Sequence, residues 1–213
     1  MKKTTILLAF AATFSLSLAA RADITSADWW PSDISQFTCS SNGFSGGVLW
    51  MNGTQLQPTT TIAGNIYLNS PGDPTLTLAN SINNDSGNLW IGYQVGVVMS
   101  IPFTFVNLPP TVSNPPNNDW FVASVNPPTL QASGPYAGQY EGTLQFSEGT
   151  PVSIGGELDW QYSINFAGSS QNSFTEVLMP VTQPIPEPGA LAMAGLGGLL
   201  LAAQILRQAR KVS

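Results

Sequence analysis

Glu157-Leu158-Asp159-Trp160-Gln161-Tyr162-Ser163-Ile164-Asn165-Phe166 alternates without a break. Leu158, Trp160, Tyr162, Ile164 and Phe166 share one parity, and Glu157, Asp159, Gln161, Ser163 and Asn165 share the other. Successive side chains of an extended chain point to opposite sides, so the stretch predicts a strand with one buried and one wet face. A longer run behaves similarly. Leu89, Ile91, Tyr93, Val95, Val97, Met99 and Ile101 alternate with Trp90, Gly92, Gln94, Gly96, Val98 and Ser100. It is long enough to bend or bulge, and Gly92 and Gly96 are the residues that would let it.

Outward from these two runs, shorter strands are expected at 48–51, 62–68, 75–82, 103–106, 121–125, 142–146, 152–154 and 174–181. The expected turns contain Asn52-Gly53, Ser70-Pro71-Gly72-Asp73-Pro74, Asn83-Asn84-Asp85-Ser86-Gly87 and Ser133-Gly134-Pro135, residue types suited to tight bends. Residues 108–118 hold four prolines and read as a loop or a crossover between sheets. No helical period with start and stop signals occurs in this region. Many short strands with polar turns predict one all-β domain over 23–182, an antiparallel β-sandwich or jelly roll.

The two ends read as addresses. Met1-Lys2-Lys3, the apolar run 6–20 and the Ala20-Arg21-Ala22 site fit a secretory signal peptide, giving a leader over 1–22 and a mature chain from Asp23. At the other end, 189–206 is apolar apart from Gln204, and Arg207, Arg210 and Lys211 follow in a basic tail over 207–213. A helix of that length rises about 27 Å, close to the roughly 30 Å of a bilayer core, so a C-terminal transmembrane helix is expected. The basic flank places Ser213 on the cytoplasmic side and the β domain outside.

Residues 183–188 link the domain to this helix and contain Pro186-Glu187-Pro188. The order of this motif, a Gly- and Leu-rich span and a terminal basic tail resembles the PEP-CTERM sorting signal of Gram-negative, exopolysaccharide-forming bacteria. The resemblance covers about the last 30 residues, and the tail is looser than the usual arginine cluster, being interrupted by Gln208 and Ala209. It implies recognition and cleavage near Pro186, Glu187 and Pro188 by an exosortase, a membrane-embedded cysteine peptidase. It also implies residence at the cell surface or in the exopolysaccharide matrix after an inner-membrane-anchored precursor stage. An anchor that is never cut is the other reading of the segment.

Charge is segregated in the same way. All six basic residues (Lys2, Lys3, Arg21, Arg207, Arg210 and Lys211) lie in the targeting segments, and all twelve acidic residues lie between Asp23 and Glu187. A domain without lysine or arginine cannot neutralise a phosphate backbone, so no nucleic acid partner is expected. Acyl-transfer catalysis lacks its imidazole or amine base, and zinc lacks its histidines. Glu157 and Asp159, about 7 Å apart on one strand face, are spaced like a glycosidase pair, but the face is the polar one, where solvated carboxylates have ordinary proton affinities. No catalytic, cofactor or metal-binding residue is therefore assigned, and the protein reads as a non-enzyme.

Two loop clusters, Asn83-Asn84-Asp85 and Asn117-Asn118-Asp119, offer the oxygens that calcium uses, though such clusters also form turns for local reasons. Cys39, alone in the chain, reads as a small hydrophobe, with an intermolecular bridge as the alternative.

Aromatic rings give the hint of a ligand. Trp160 shares the apolar face of its strand, whereas Trp90 falls opposite the apolar residues of its own, and Trp29-Trp30 open the mature chain. Trp90, Trp29 and Trp30 are accordingly the candidate glycan-stacking residues, the alternative being that a loop or second sheet covers them. Two functions follow: an exported surface or matrix-associated structural protein, or a carbohydrate-binding module on the cell surface.

Overall fold

The computed structural model describes residues 23–183. Eleven strands follow one another in this region: β1 (Ile24–Pro31), β2 (Phe37–Ser45), β3 (Val48–Gln55), β4 (Thr60–Leu68), β5 (Thr75–Asn84), β6 (Leu89–Met99), β7 (Phe103–Ser113), β8 (Phe121–Leu130), β9 (Tyr140–Val152), β10 (Glu157–Phe166) and β11 (Gln171–Gln183). They form a six-stranded sheet in the order β1-β4-β11-β6-β9-β8 and a five-stranded sheet in the order β2-β3-β5-β10-β7. The sheets pack face to face because the central strands each have an apolar parity to hide. Leu158, Trp160, Tyr162, Ile164 and Phe166 of β10 all enter the core, as their alternation requires. Across from them lie Tyr93 and Phe146 of the other sheet, with ring centroids 4.9 and 6.3 Å from Trp160.

Pairing is antiparallel everywhere except between β3 and β5, which run parallel. The departure from an all-antiparallel arrangement has a topological cause. β4 lies in the opposite sheet, so the chain leaves after β3, crosses the sandwich, and returns in its original direction.

Three local differences from the sequence reading have physical explanations. β1 and β2 are strands although neither alternates clearly; both are edge strands, largely exposed, and have little apolar parity to display. Asn52-Gly53 lies inside β3 instead of a turn, because the Phe37 ring occupies the space that a side chain at position 53 would fill. The β2–β3 turn uses Gly46 and Gly47, both at positive φ, where a Cβ is unfavourable. The third difference is that the proline-rich stretch is not simply a loop. β7 continues past Pro109 and Pro110 to Ser113, with its pairing to β10 jumping from Ser163↔Val106 to Gln161↔Thr111. An edge strand tolerates the missing donors, and the jump ejects the prolines from the ladder. β8, the edge of the other sheet, treats Pro127 and Pro128 in the same way, its register shifting between Asn126 and Thr129. Of the expected short strand at 152–154 only Val152 is extended, as the last residue of β9, which rejoins β6 at Trp90↔Val152 after a bulge, while Ser153 and Ile154 enter the turn that follows.

Close approach of backbone and ring fixes Gly64 at the centre of β4. A Cβ there would strike the Phe174 ring and come within 2.7 Å of the Asp28 carbonyl oxygen. Gly64→Ala should therefore destabilise the fold by about 1–3 kcal/mol in a denaturant titration. A neutral substitution would show that the sheet relaxes at this point.

Candidate functional site

The outer face of the five-stranded sheet carries the most distinctive surface. Two rungs cross four strands side by side. One is Trp50, Ala79, Gln161 and Thr111; the next is Asn52, Ser81, Asp159 and Ser113. Small side chains in the middle, Ala79 and Ser81, leave a groove of about 410 Å³ bordered by Trp50 on β3 and by Thr111 and Ser113 on β7. Trp50 is outward because Leu49 and Met51, its neighbours in β3, take the core. Its indole is 37% exposed and packs against Gly43 of β2, where a Cβ would come within 2.7 Å of Cζ2.

Asp159 and Glu157 occupy one end of this face. The Ser81 hydroxyl donates to Glu157 Oε1, while Asp159 Oδ1 is buried without a hydrogen-bonding partner. Ser81 has a single hydroxyl hydrogen and two carboxylates within its reach, so one of them always lacks that donor. Burial raises the Asp159 carboxyl above the usual range, against the lowering effect of Ser81, and the nearby Glu157 charge raises it further. The expectation of an ordinary carboxylate on a solvated face thus fails at Asp159, which is half-buried between Ser81 and Ser113.

The predicted stacking residues separate. Trp90 is 0% exposed, its ring 5.1 Å from that of Tyr93, and its Nε1 donates to Ser86 Oγ. The cause is a bulge: the pairing of β6 with β9 shifts between Trp90 and Gly92, and that with β11 shifts between Val181 and Thr182. One extra residue reverses the parity, so Trp90 joins Tyr93 inside and Ile91 turns outward. Trp29 is also core, packed at 6.2 Å from Phe174 and donating through Nε1 to the Trp50 carbonyl. Neither ring can offer a face to an external ligand. Trp30 is 44% exposed, but it stands on β1, in the other sheet, away from the groove. Trp50 was missed because the short run Val48-Leu49-Trp50-Met51 is apolar at every position and hides which parity is buried.

The oxygen-rich loops serve turns. Asn84 Oδ1 accepts from the amide and hydroxyl of Ser86, and Asn84 Nδ2 donates to the Asn88 and Val152 carbonyls. Asp119 accepts from Asn114 Nδ2 at one oxygen and from the Thr150 amide and hydroxyl at the other, which ties β9 to the loop before β8 and lowers the Asp119 pKa. Cys39 is a half-buried free thiol beside the core, its pKa raised by burial.

A third carboxylate lies inside. Glu176 of β11 is 0% exposed, accepts from the Tyr162 hydroxyl at 2.6 Å, and lies 3.3 and 3.4 Å from Asn80 Nδ2. Burial pushes its pKa up to about 7 against the opposing effect of those donors. It bridges the two sheets and has no access to the groove.

Among the described residues no helix is long and apolar enough to cross a membrane. The signal peptide over 1–22, the span over 189–206 and the sorting residues Pro186, Glu187, Pro188, Arg207, Arg210 and Lys211 lie outside the described residues. Comparison with protein-family models, with curated proteins and with solved structures finds no match to this chain.

Proposed function

We propose that the chain is an exported surface or matrix-associated structural protein of a Gram-negative bacterium, anchored by a C-terminal transmembrane helix and sorted by a PEP-type tail. The observation that carries this reading is the partition of the sequence: all six basic residues lie in the two terminal segments, around a domain that has none. The ordered motif, apolar span and basic tail support an exosortase as processing partner. The sandwich between them suits display, since its edge strands β7 and β8 carry prolines that discourage edge-to-edge pairing. The reading is of a non-catalytic protein, because the region 23–183 supplies neither imidazole nor amine for base chemistry.

A second reading, a carbohydrate-binding module, is favoured by the groove. An aromatic ring beside small and polar side chains is the surface that a sugar with one apolar and one hydroxylated side requires.

Replacing Pro186, Glu187 and Pro188 together should leave export intact while uncut precursor accumulates in the inner membrane. Intact-mass measurement of surface material decides the matter. Full-length chain ending at Ser213 on the surface of wild-type cells would overturn processing and leave only an anchor.

A further inference from the structure

We propose that the groove on the five-stranded sheet binds an amine-bearing polysaccharide, with one pyranose ring against Trp50 and an ammonium group at Asp159 and Glu157. The inference rests on the carbohydrate-binding reading and adds the class of sugar. Its starting point is the mismatch of donors and acceptors at the acidic end. Two carboxylates compete for the Ser81 hydroxyl, and Asp159 Oδ1 has no partner. No lysine, arginine or histidine exists anywhere in 23–183 to neutralise them. A neutral sugar could supply a hydroxyl donor, but an ammonium supplies several donors and relieves the repulsion between the two carboxylates at once. A uronic acid or a phosphorylated sugar would add a third negative charge with nothing to balance it.

The geometry calls for a polymer. Asp159 stands two strands and one rung away from Trp50. With strand spacing near 4.8 Å and two residues of rise, the two are about 12 Å apart across the sheet, more than one sugar spans. Ala79 and Ser81, lying between them, keep the path clear, and Asn52, Gln161 and Thr111 line it with amide and hydroxyl groups. A chain lying across the sheet therefore meets an aromatic surface, then hydrogen-bonding groups, then negative charge.

The test titrates the full chain in detergent, under mildly acidic conditions that protonate sugar amines, with three probes. These are a glucosamine oligomer, its N-acetylated counterpart and a uronic acid oligomer. The glucosamine oligomer should bind at least about tenfold more tightly than the N-acetylated one, and the uronate should not bind. Asp159→Asn, which keeps the side-chain shape, should remove about tenfold of that preference. Trp50→Ala should weaken both amino-sugar probes about tenfold, with Trp50→Tyr restoring most of the loss. Asp73→Asn, an equal change of charge at an exposed turn beyond the groove, should alter nothing. An equal loss from Asp73→Asn would reduce the effect to general attraction between opposite charges and overturn the proposal. Trp50-dependent binding of the N-acetylated oligomer without preference for the amine would overturn the amine assignment while retaining the carbohydrate reading. Failure of all three probes to bind would overturn both.

Discussion

Trp90→Ala is expected to destabilise the protein by about 3–5 kcal/mol, the cost of emptying a core site of a large aromatic side chain. Its indole is fully enclosed, packs on Tyr93 and bonds to Ser86, so truncation removes packing and leaves the Ser86 hydroxyl without the indole donor. Trp160→Ala should cost a similar amount, since its buried ring packs at a tilt against both Tyr93 and Phe146 of the opposite sheet. Such losses are a large part of a typical stability of about 5–15 kcal/mol, so both variants should show clearly lowered unfolding transitions. The pair is informative because alternation alone places the two rings on opposite sides of their strands. A mild effect at Trp90 beside a severe one at Trp160 would mean that β6 keeps its parity and that the bulge at Gly92 does not form in solution.

Glu176 should make stability depend on pH in the direction opposite to that of a salt-bridged carboxylate. Its folded-state pKa is raised from 4.5 to about 7, chiefly by burial. Below 4.5 the folded and unfolded chains both hold the proton, and the full stability is present. Between 4.5 and about 7 the unfolded chain releases the proton while the fold retains it, so unfolding becomes progressively easier as pH rises. Above that window both states are ionised and about 3 kcal/mol of stability has gone. Asp159, raised in the same direction, contributes a smaller slope of the same sign. Glu176→Gln isolates the effect. The variant should lose most of the slope in unfolding free energy and exceed the wild type on the alkaline side. An unchanged slope in Glu176→Gln would remove Glu176 as its source.

The fold was legible where an element is half-buried and regular. β10 shows its two faces openly, and β5, β4 and β11 show theirs nearly as well. The edge strands β1 and β2 were not legible, because they have too few buried positions to leave a pattern. Trp90 illustrates a different limit. Gly92 was recognisable as a place for a bulge, but the effect of the bulge on parity depends on whether the extra residue falls before or after the tryptophan, and pairing with β9 and β11 decides that. The groove was invisible for a similar reason. Trp50, Ser81 and Asp159 come from three strands, and only the parallel β3–β5 register sets them on adjacent rungs. Glu157 and Asp159 were picked out by spacing, yet what distinguishes them is the shared Ser81 hydroxyl on the neighbouring strand.

β11 comes last among the eleven strands and yet lies third of six in its sheet, between β4 and β6. Until it is in place, that sheet exists as two pieces, a β1-β4 pair and a β6-β9-β8 trio, each with an open edge where β11 belongs. A polypeptide released from its amino end first thus cannot close the sandwich before Gln183 is free, and closure joins segments far apart in the chain, which slows it. Completion of the six-stranded sheet is therefore a late event, postponed until the last strand is present. The corresponding liability is that a chain broken before Gln171 keeps both open edges and becomes prone to pair with its neighbours.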